Sequence, residues 1–404
     1  MKILIVLLSP IFLFCKTTLG IDRFFQEGYA EKYKNKRIGL VVNQASTNGK
    51  GISSLQCFMQ NVKEFPLAVI FAPEHGIKAS AYAAETIAHS QHAEGIKIFS
   101  LHGATRRPTK EILQELDVII YDIQSIGTRS YTYETTLFYI MEEAAKYNVE
   151  VVLLDRPNPM GGKVVDGPLL DEENRSFIGY INIPYCHGMT IGELANFFNQ
   201  EYHIGCLLTV IPMLGWKRGM IFKETGLVWI PPSPNIPESD TPFFYASTGI
   251  LGELRALNIG IGYTLPFKIA GAPWIEADRF ASHLNEQKIP GIIFYPFYFK
   301  PFFGAYKGEE CEGVYIHITD PNQYRPLLVQ YLILGMLKSL YPKEFHTYLH
   351  GSGRELFTKA NGSKKILQIL EKEAFPFWKL KQAVEEDIAK FLPIRKKYLL
   401  YESF

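Results

Sequence analysis

Leu67-Ala68-Val69-Ile70-Phe71-Ala72-Pro73-Glu74-His75-Gly76 sets a six-residue apolar run against an abrupt polar stop. The pattern recurs three times. Ile38-Gly39-Leu40-Val41-Val42 ends at Asn43-Gln44, Val118-Ile119-Ile120-Tyr121 at Asp122-Ile123-Gln124, and Val149-Glu150-Val151-Val152-Leu153-Leu154 at Asp155-Arg156-Pro157-Asn158-Pro159. Short, nearly continuous apolar runs separated by helix-length segments read as parallel strands buried on both faces. In an open parallel sheet the ligand crevice lies outside the carboxyl ends of the strands. The four polar stops are therefore expected to converge on one site.

A chain of 404 residues exceeds what one hydrophobic core usually supports, so two domains are expected. Hydrophobic residues at 47% and charged residues at 21% describe a folded globular protein, and a formal charge of +1 without a dense Lys/Arg block excludes the electrostatic footprint of a nucleic-acid binder. Twenty-three Tyr and 28 Phe suffice to pave a sugar cleft as well as a core. At the N-terminus, Lys2 precedes an apolar stretch from Ile3 to Phe14, and Thr18-Leu19-Gly20 supplies small residues of the kind a signal peptidase reads. Residues 1–20 are accordingly expected to be a signal peptide and the mature chain to be exported, periplasmic or extracellular. No later stretch reaches the ~20 apolar residues of a membrane span, so no stable membrane insertion follows cleavage. Cys57, Cys186, Cys206 and Cys311 lack CxxC spacing and leave room for one or two disulfides or for none.

Strand and helix alternate through the first part. Helices are expected at Ser53 onward, Thr109 to Leu116 and Thr135 to Tyr147, and from Ile191 to Glu201, where Thr190 with Glu193 spells a capping box. Leu207 to Met213 resumes a strand. Pro231, Pro232, Pro234, Pro237 and Pro242 then form a stretch too proline-rich for a central strand, which places the domain boundary near residue 240. Residues 21–240 form the first domain in this reading and residues 241–404 the second, with strands at Ile292 to Tyr295 and Gly313 to Ile318 and helices at Pro326 to Leu340 and Ser363 to Lys372.

Chemistry concentrates at the strand ends. Glu74 and His75 stand where a strand yields to a loop; burial there favours the neutral carboxyl and suits a general acid. Glu85 borders the same expected crevice. Asp122, Gln124, Arg129, Tyr131 and Tyr133 form a polar patch after the third strand, in which Asp122 and Arg129 are expected to pair while the amide and hydroxyls hold a polyhydroxylated ligand. Asp155 is expected to orient Arg156 and free Asn158 for an amide or hydroxyl, and His187, just before a helix start, suits a ligand carboxylate. Glycine fingerprints for dinucleotides or phosphates are absent, His75, His89 and His92 match no zinc spacing, and no GxSxG elbow occurs. No cofactor or metal is expected.

Pro73-Glu74-His75-Gly76, Tyr121-Asp122-Ile123-Gln124, Leu154-Asp155-Arg156-Pro157-Asn158-Pro159, His187-Gly188-Met189-Thr190, Pro232-Ser233-Pro234-Asn235, Gly271-Ala272-Pro273-Trp274 and Tyr398-Leu399-Leu400-Tyr401 together resemble the NamZ family of exo-beta-N-acetylmuramidases. The resemblance spans the chain beyond the leader. It implies an α/β protein with a Rossmann-like N-terminal domain of mostly parallel sheet, a smaller C-terminal α/β domain, and a cleft between them. It further implies release of terminal N-acetylmuramic acid from the non-reducing ends of peptidoglycan fragments, with Glu74 as the acid. Glu85, Asp122 and Glu253 are the candidates for the second catalytic group, and Asn43 for a rim residue that binds the sugar. Against the family pattern, Ile77-Lys78-Ala79, Tyr82, Ala84, Ala256 and Ile261 are substitutions, the last two on the second domain's side of the cleft. They motivate a second reading, a non-catalytic cell-wall sugar-binding protein on the same fold.

Overall fold

The structure, a computed structural model, describes residues 16–82, 85–86, 88–91 and 95–402. The expectations for residues 1–15, Ala84 and His92 lie outside them.

The first domain carries strands β1 (Ile38–Val41), β2 (Leu67–Ala72), β3 (Ser90–Gln91), β4 (Lys97–Ser100), β5 (Val118–Tyr121), β6 (Glu150–Leu154) and β7 (Leu208–Ile211) in the sheet order β3-β4-β2-β1-β5-β6-β7. Six strands run parallel and β3 adds a short antiparallel edge. Counted along the chain, the parallel strands stand in the order third, second, first, fourth, fifth, sixth. This is the Rossmann arrangement, with its topological switch between β1 and β5. Leu40 faces Ile70 on one side and Ile120 on the other.

Alternation along these buried strands divides two apolar layers. Ile38, Leu40, Ile70, Ile120, Val152 and Leu154 point to a layer closed by Phe24, Tyr33, Phe58 and Phe65. Their neighbours Val41, Phe71, Ile119, Val151 and Leu153 point to the opposite layer, which contains Leu137 and Met141 of helix Tyr133–Lys146 and Leu194 and Phe198 of helix Ile191–Glu201. The second layer runs without interruption into the second domain through Phe243, Ile250, Leu327 and Tyr331.

That second domain holds a three-stranded antiparallel sheet, β8 (Ile269–Ala272), β10 (Cys311–Ile318) and β9 (Ile292–Phe299) in that order, among helices that include Thr241–Glu253, Pro326–Leu340 and Phe377–Arg395. Asp166 of the first domain accepts from the Leu327 amide at 2.9 Å and pairs with Arg325 at 3.0 Å, so an acid from one domain caps the central helix of the other. None of Cys57, Cys186, Cys206 and Cys311 is in a disulfide. Among the described residues no helix is long and apolar enough to cross a membrane.

Residues ahead of Ile21 are part of this fold. Thr17 and Leu19 are buried, Thr18 pairs antiparallel with Leu214, and the Gly20 amide donates to the Asp155 carbonyl at 3.1 Å. A Cβ on Gly20 would stand 2.4 Å from the Asp155 nitrogen, so only glycine permits the approach.

The C-terminal tail closes on the same point. Asp155 Oδ2 accepts from the hydroxyls of Tyr401 and Thr190, and Oδ1 from the amides of Arg156 and Gly192. Burial pushes its carboxyl up to about 7 against the pull of these donors. A carboxyl raised from 3.8 to about 7 contributes stability that is full below pH ~4 and is lost as the pH rises through 7. Asp155→Asn is expected to remove that slope: between pH 5 and pH 8 the wild-type urea midpoint should fall relative to the variant's. Parallel pH dependence of the two proteins would refute it.

Candidate active site

Glu74 leaves the carboxyl end of β2 nearly buried, and Thr132, the residue before helix Tyr133–Lys146, donates its hydroxyl to Oε2 at 2.5 Å. On the other oxygen, His102 Nε2 lies 3.6 Å from Oε1. Burial lowers the His102 pKa, opposed by the Glu74 charge, so the imidazole is neutral at neutral pH. His102 follows β4 and was not among the expected site residues. The signal was present, since Leu101-His102-Gly103 repeats the strand-then-polar design, but the strand before it is short and begins with Lys97.

Asn43, at the end of β1, donates to the Tyr133 hydroxyl at 3.0 Å, and that hydroxyl donates to the Pro232 carbonyl at 2.8 Å. Tyr131 packs edge-on against Tyr133 at 4.8 Å and against Tyr245 at 6.3 Å between ring centres. The proline-rich seam is thus sewn to the strand ends beside Glu74. Beyond it opens a cavity of about 630 Å³ between the domains, lined by Ser130, Tyr185 and Asn235 from one side and by Tyr245, Glu253 and Arg255 from the other, among apolar residues. Ser130 Oγ bridges the hydroxyls of Tyr185 at 2.7 Å and Tyr245 at 3.0 Å. Burial carries the Tyr245 phenol up to about 12, with Glu253 and Glu74 both adding to the rise. One tyrosine therefore feels both carboxylates. Glu253 itself is raised by burial, with Arg255 pulling the other way.

Several expected site residues serve structure instead. Asp122 is fully buried and pairs with Arg156, not Arg129, through Nε at 2.5 Å and Nη2 at 2.8 Å, and also accepts from Ser54. A carboxylate enclosed in this way has no face open to substrate. Arg156 is therefore oriented by Asp122 and the Thr47 carbonyl, at 2.7 Å, while Asp155 receives only its backbone amide. Arg129 is buried and donates to the carbonyls of Pro168, Ile183 and Asn361 at 2.8, 2.6 and 2.6 Å. Desolvation lowers its pKa to about 10, which leaves it charged. Gln124 donates to the carbonyls of Ser125 and Pro157, and Asn158 to that of Met189. His187 is sealed against Glu134 at 3.0 Å.

The loop after Glu74 also uses its own side chains. His75 adopts φ +68° and donates from Nδ1 to the Ala81 carbonyl at 2.7 Å, and Glu85 accepts from the Tyr82 amide at 2.8 Å. Tyr82 is 71% exposed and stacks on Phe303 of the second domain, 6.4 Å between ring centres. The first-domain strand ends thus divide into Asn43, Glu74, Tyr131 and Tyr133, which are linked to the cavity wall through the contact of Tyr131 with Tyr245, and Asp122, Asp155 and their partners, which lock the fold.

Residues 38–240 match the family model for the N-terminal domain of exo-beta-N-acetylmuramidase NamZ, and residues 243–401 match its C-terminal counterpart. The peptidoglycan beta-N-acetylmuramidase NamZ of Bacillus subtilis is 37% identical over 387 residues, 96% of this chain and 92% of that protein. Two DUF1343 family crystal structures from Bacteroides fragilis align with TM-scores of 0.89 and 0.73, at 36% and 28% identity, each over 96% of this chain and 99% of theirs. Two domain matches that meet at the proline-rich seam, and a relative matched over nearly the whole of both chains, show that the chain belongs to the NamZ family of exo-beta-N-acetylmuramidases, which are glycosidases.

Proposed function

We infer that this chain releases N-acetylmuramic acid from the non-reducing ends of peptidoglycan fragments, with Glu74 protonating the departing glycosidic oxygen. The observation that carries the reading is the placement of Glu74: a nearly buried carboxyl at a strand end, bonded by Thr132, with His102 3.6 Å away and its charge felt by Tyr245 of the cavity wall. Bond cleavage at the anomeric carbon builds positive charge on the sugar ring, which a second carboxylate or the substrate's own amide offsets. Glu253 is the acid that lines the cavity, whereas Asp122 is ion-paired and Glu85 is exposed and bonded within its own turn. His102 acts through Glu74. The neutral imidazole borders Oε1 at 3.6 Å while Thr132 holds Oε2.

Export completes the reading, since the substrate is cell-wall material and Lys2 with Ile3 to Phe14 has the form of a leader. The burial of Thr17 and Leu19 and the pairing of Thr18 with Leu214 support a cleavage ahead of Thr17 over one after Gly20. N-terminal sequencing of the exported protein should read a first residue at or before Thr17, and a start at Ile21 would disprove this placement.

Glu74→Gln keeps an acceptor for Thr132 and loses the proton. Release of a chromogenic group from a muramic acid glycoside is expected to fall by about 10²–10⁴-fold with the melting temperature held. Full release by that variant, or binding of a muramic acid-glucosamine disaccharide by the wild type without release, would sink the reading and favour a sugar-binding protein. For His102→Gln, kcat should fall about tenfold with KM little changed and the pH-rate profile displaced. A loss of thermal stability with an unmoved profile would leave His102 a packing residue only.

A further inference from the structure

We propose that Arg255 receives the carboxylate of the sugar and thereby separates a muramic acid ring from a glucosamine ring, an inference that rests on the substrate class argued above. Muramic acid differs from glucosamine by an ether-linked lactyl group, so an enzyme that selects it needs a cation placed where that group lies. His187, expected to suit a ligand carboxylate, is sealed against Glu134, and the structure withdraws Arg129 onto backbone carbonyls and Arg156 onto Asp122. Arg218 is likewise held by Glu193.

Among the residues that line the interdomain cavity, Arg255 carries the one guanidinium, and no lysine or histidine accompanies it. Among the described residues it forms no ion pair; its side-chain hydrogen bond is a long one, 3.5 Å from Nη1 to Ser352 Oγ. The acid nearest it in sequence, Glu253, lines the same cavity, and burial raises its carboxyl while Arg255 pulls the other way. Arg255 is exposed, and a guanidinium offers two parallel N–H groups to the two oxygens of a carboxylate.

Backbone conformation argues in the same direction. Arg255 lies just past helix Thr241–Glu253 with φ +59°, the left-handed state in which helices usually end on glycine. An arginine holds that state less easily than glycine would, so the reason for arginine here lies in its side chain. The substitution to glycine is consequently a clean test, because it suits the backbone while removing the cation.

Calorimetric titration of full-length wild type, Arg255→Gly and Arg255→Lys with N-acetylmuramic acid and with N-acetylglucosamine decides the matter. Arg255→Gly should weaken N-acetylmuramic acid on the order of 10–100-fold, leave N-acetylglucosamine unchanged, and keep or raise the melting temperature. Arg255→Lys should recover part of the loss. Equal weakening of both sugars, no weakening of either, or a wild type that ignores N-acetylmuramic acid would each overturn the inference. Turnover of the chromogenic muramic acid glycoside is measured on the same preparations. Turnover with selectivity unmoved by Arg255→Gly removes the Arg255 inference and spares the role of Glu74; selective binding loss without turnover in wild type does the reverse.

Discussion

The buried ion pair of Asp122 and Arg156 constrains everything above the sheet. Asp122 follows β5, Arg156 follows β6, and the loop after β1 joins them through Ser46 and Thr47, whose atoms bond the Asp122 carbonyl and the Arg156 guanidinium. Three strand ends at the topological switch point are thereby tied in one network. Breaking such a pair from one side strands an uncompensated charge, which costs about 3–5 kcal/mol. The network also fills the crevice where this fold commonly holds a ligand. What remains there, between Gln124, Arg156 and the covering segment Phe222 to Ile230, is a void of about 20 Å³, hardly more than one water. With the switch point sealed, the nearly buried carboxyl of Glu74 stands at the neighbouring strand end, that of β2.

Placement of that second domain is fixed by more than contact area. The apolar layer beneath helix Tyr133–Lys146 continues across the boundary, and polar links cross it in both directions. Arg129 reaches from the first domain to the Asn361 carbonyl, with a Cβ at Gly362 excluded by its guanidinium at 2.3 Å. Tyr401 returns from the chain's end to Asp155. Each link satisfies a buried polar group that would otherwise destabilise the boundary, so docking and satisfaction of these groups are the same event. The cavity at the boundary therefore exists before any sugar enters, and binding need not supply the free energy to assemble it.

How much of this was legible in the sequence follows from the same physics. Apolar runs flanked by polar stops revealed β1, β2, β5 and β6 because a strand buried on both faces must be apolar throughout. The capping box at Thr190 and Glu193 is present as read. β4 escaped because its first residues, Lys97 and Ile98, lie toward the exposed edge, and with it went His102, whose placement beside Glu74 depends on β2 and β4 pairing. Pairing partners were the least legible feature. Asp122 had Arg129 within seven residues and Arg156 thirty-four away, and only the adjacency of β5 and β6 decides for the distant one. Proximity in sequence misassigns charges whenever the strand ends, not the loop, bring them together.

Departures from the family pattern fall in both domains, at Ile77-Lys78-Ala79 and Tyr82 in the first and at Ala256 and Ile261 in the second. Those of the first domain begin three residues past Glu74 and leave the bond that Thr132 makes to it in place. The second wall is made of residues after a helix end and of loops that Asn258 holds by bonds to the Ile261 and Ala305 carbonyls at 3.1 and 2.9 Å. Backbone bonds set the position of those loops, so side chains on them can vary without disturbing the frame. Ala256 is buried beneath Tyr306, whose hydroxyl bonds its carbonyl at 3.0 Å, while Ile261 and Arg255 line the cavity. Side-chain variation on these loops is therefore compatible with an unmoved frame. A fold arranged in this way can alter the groups its cavity presents while leaving its backbone in place.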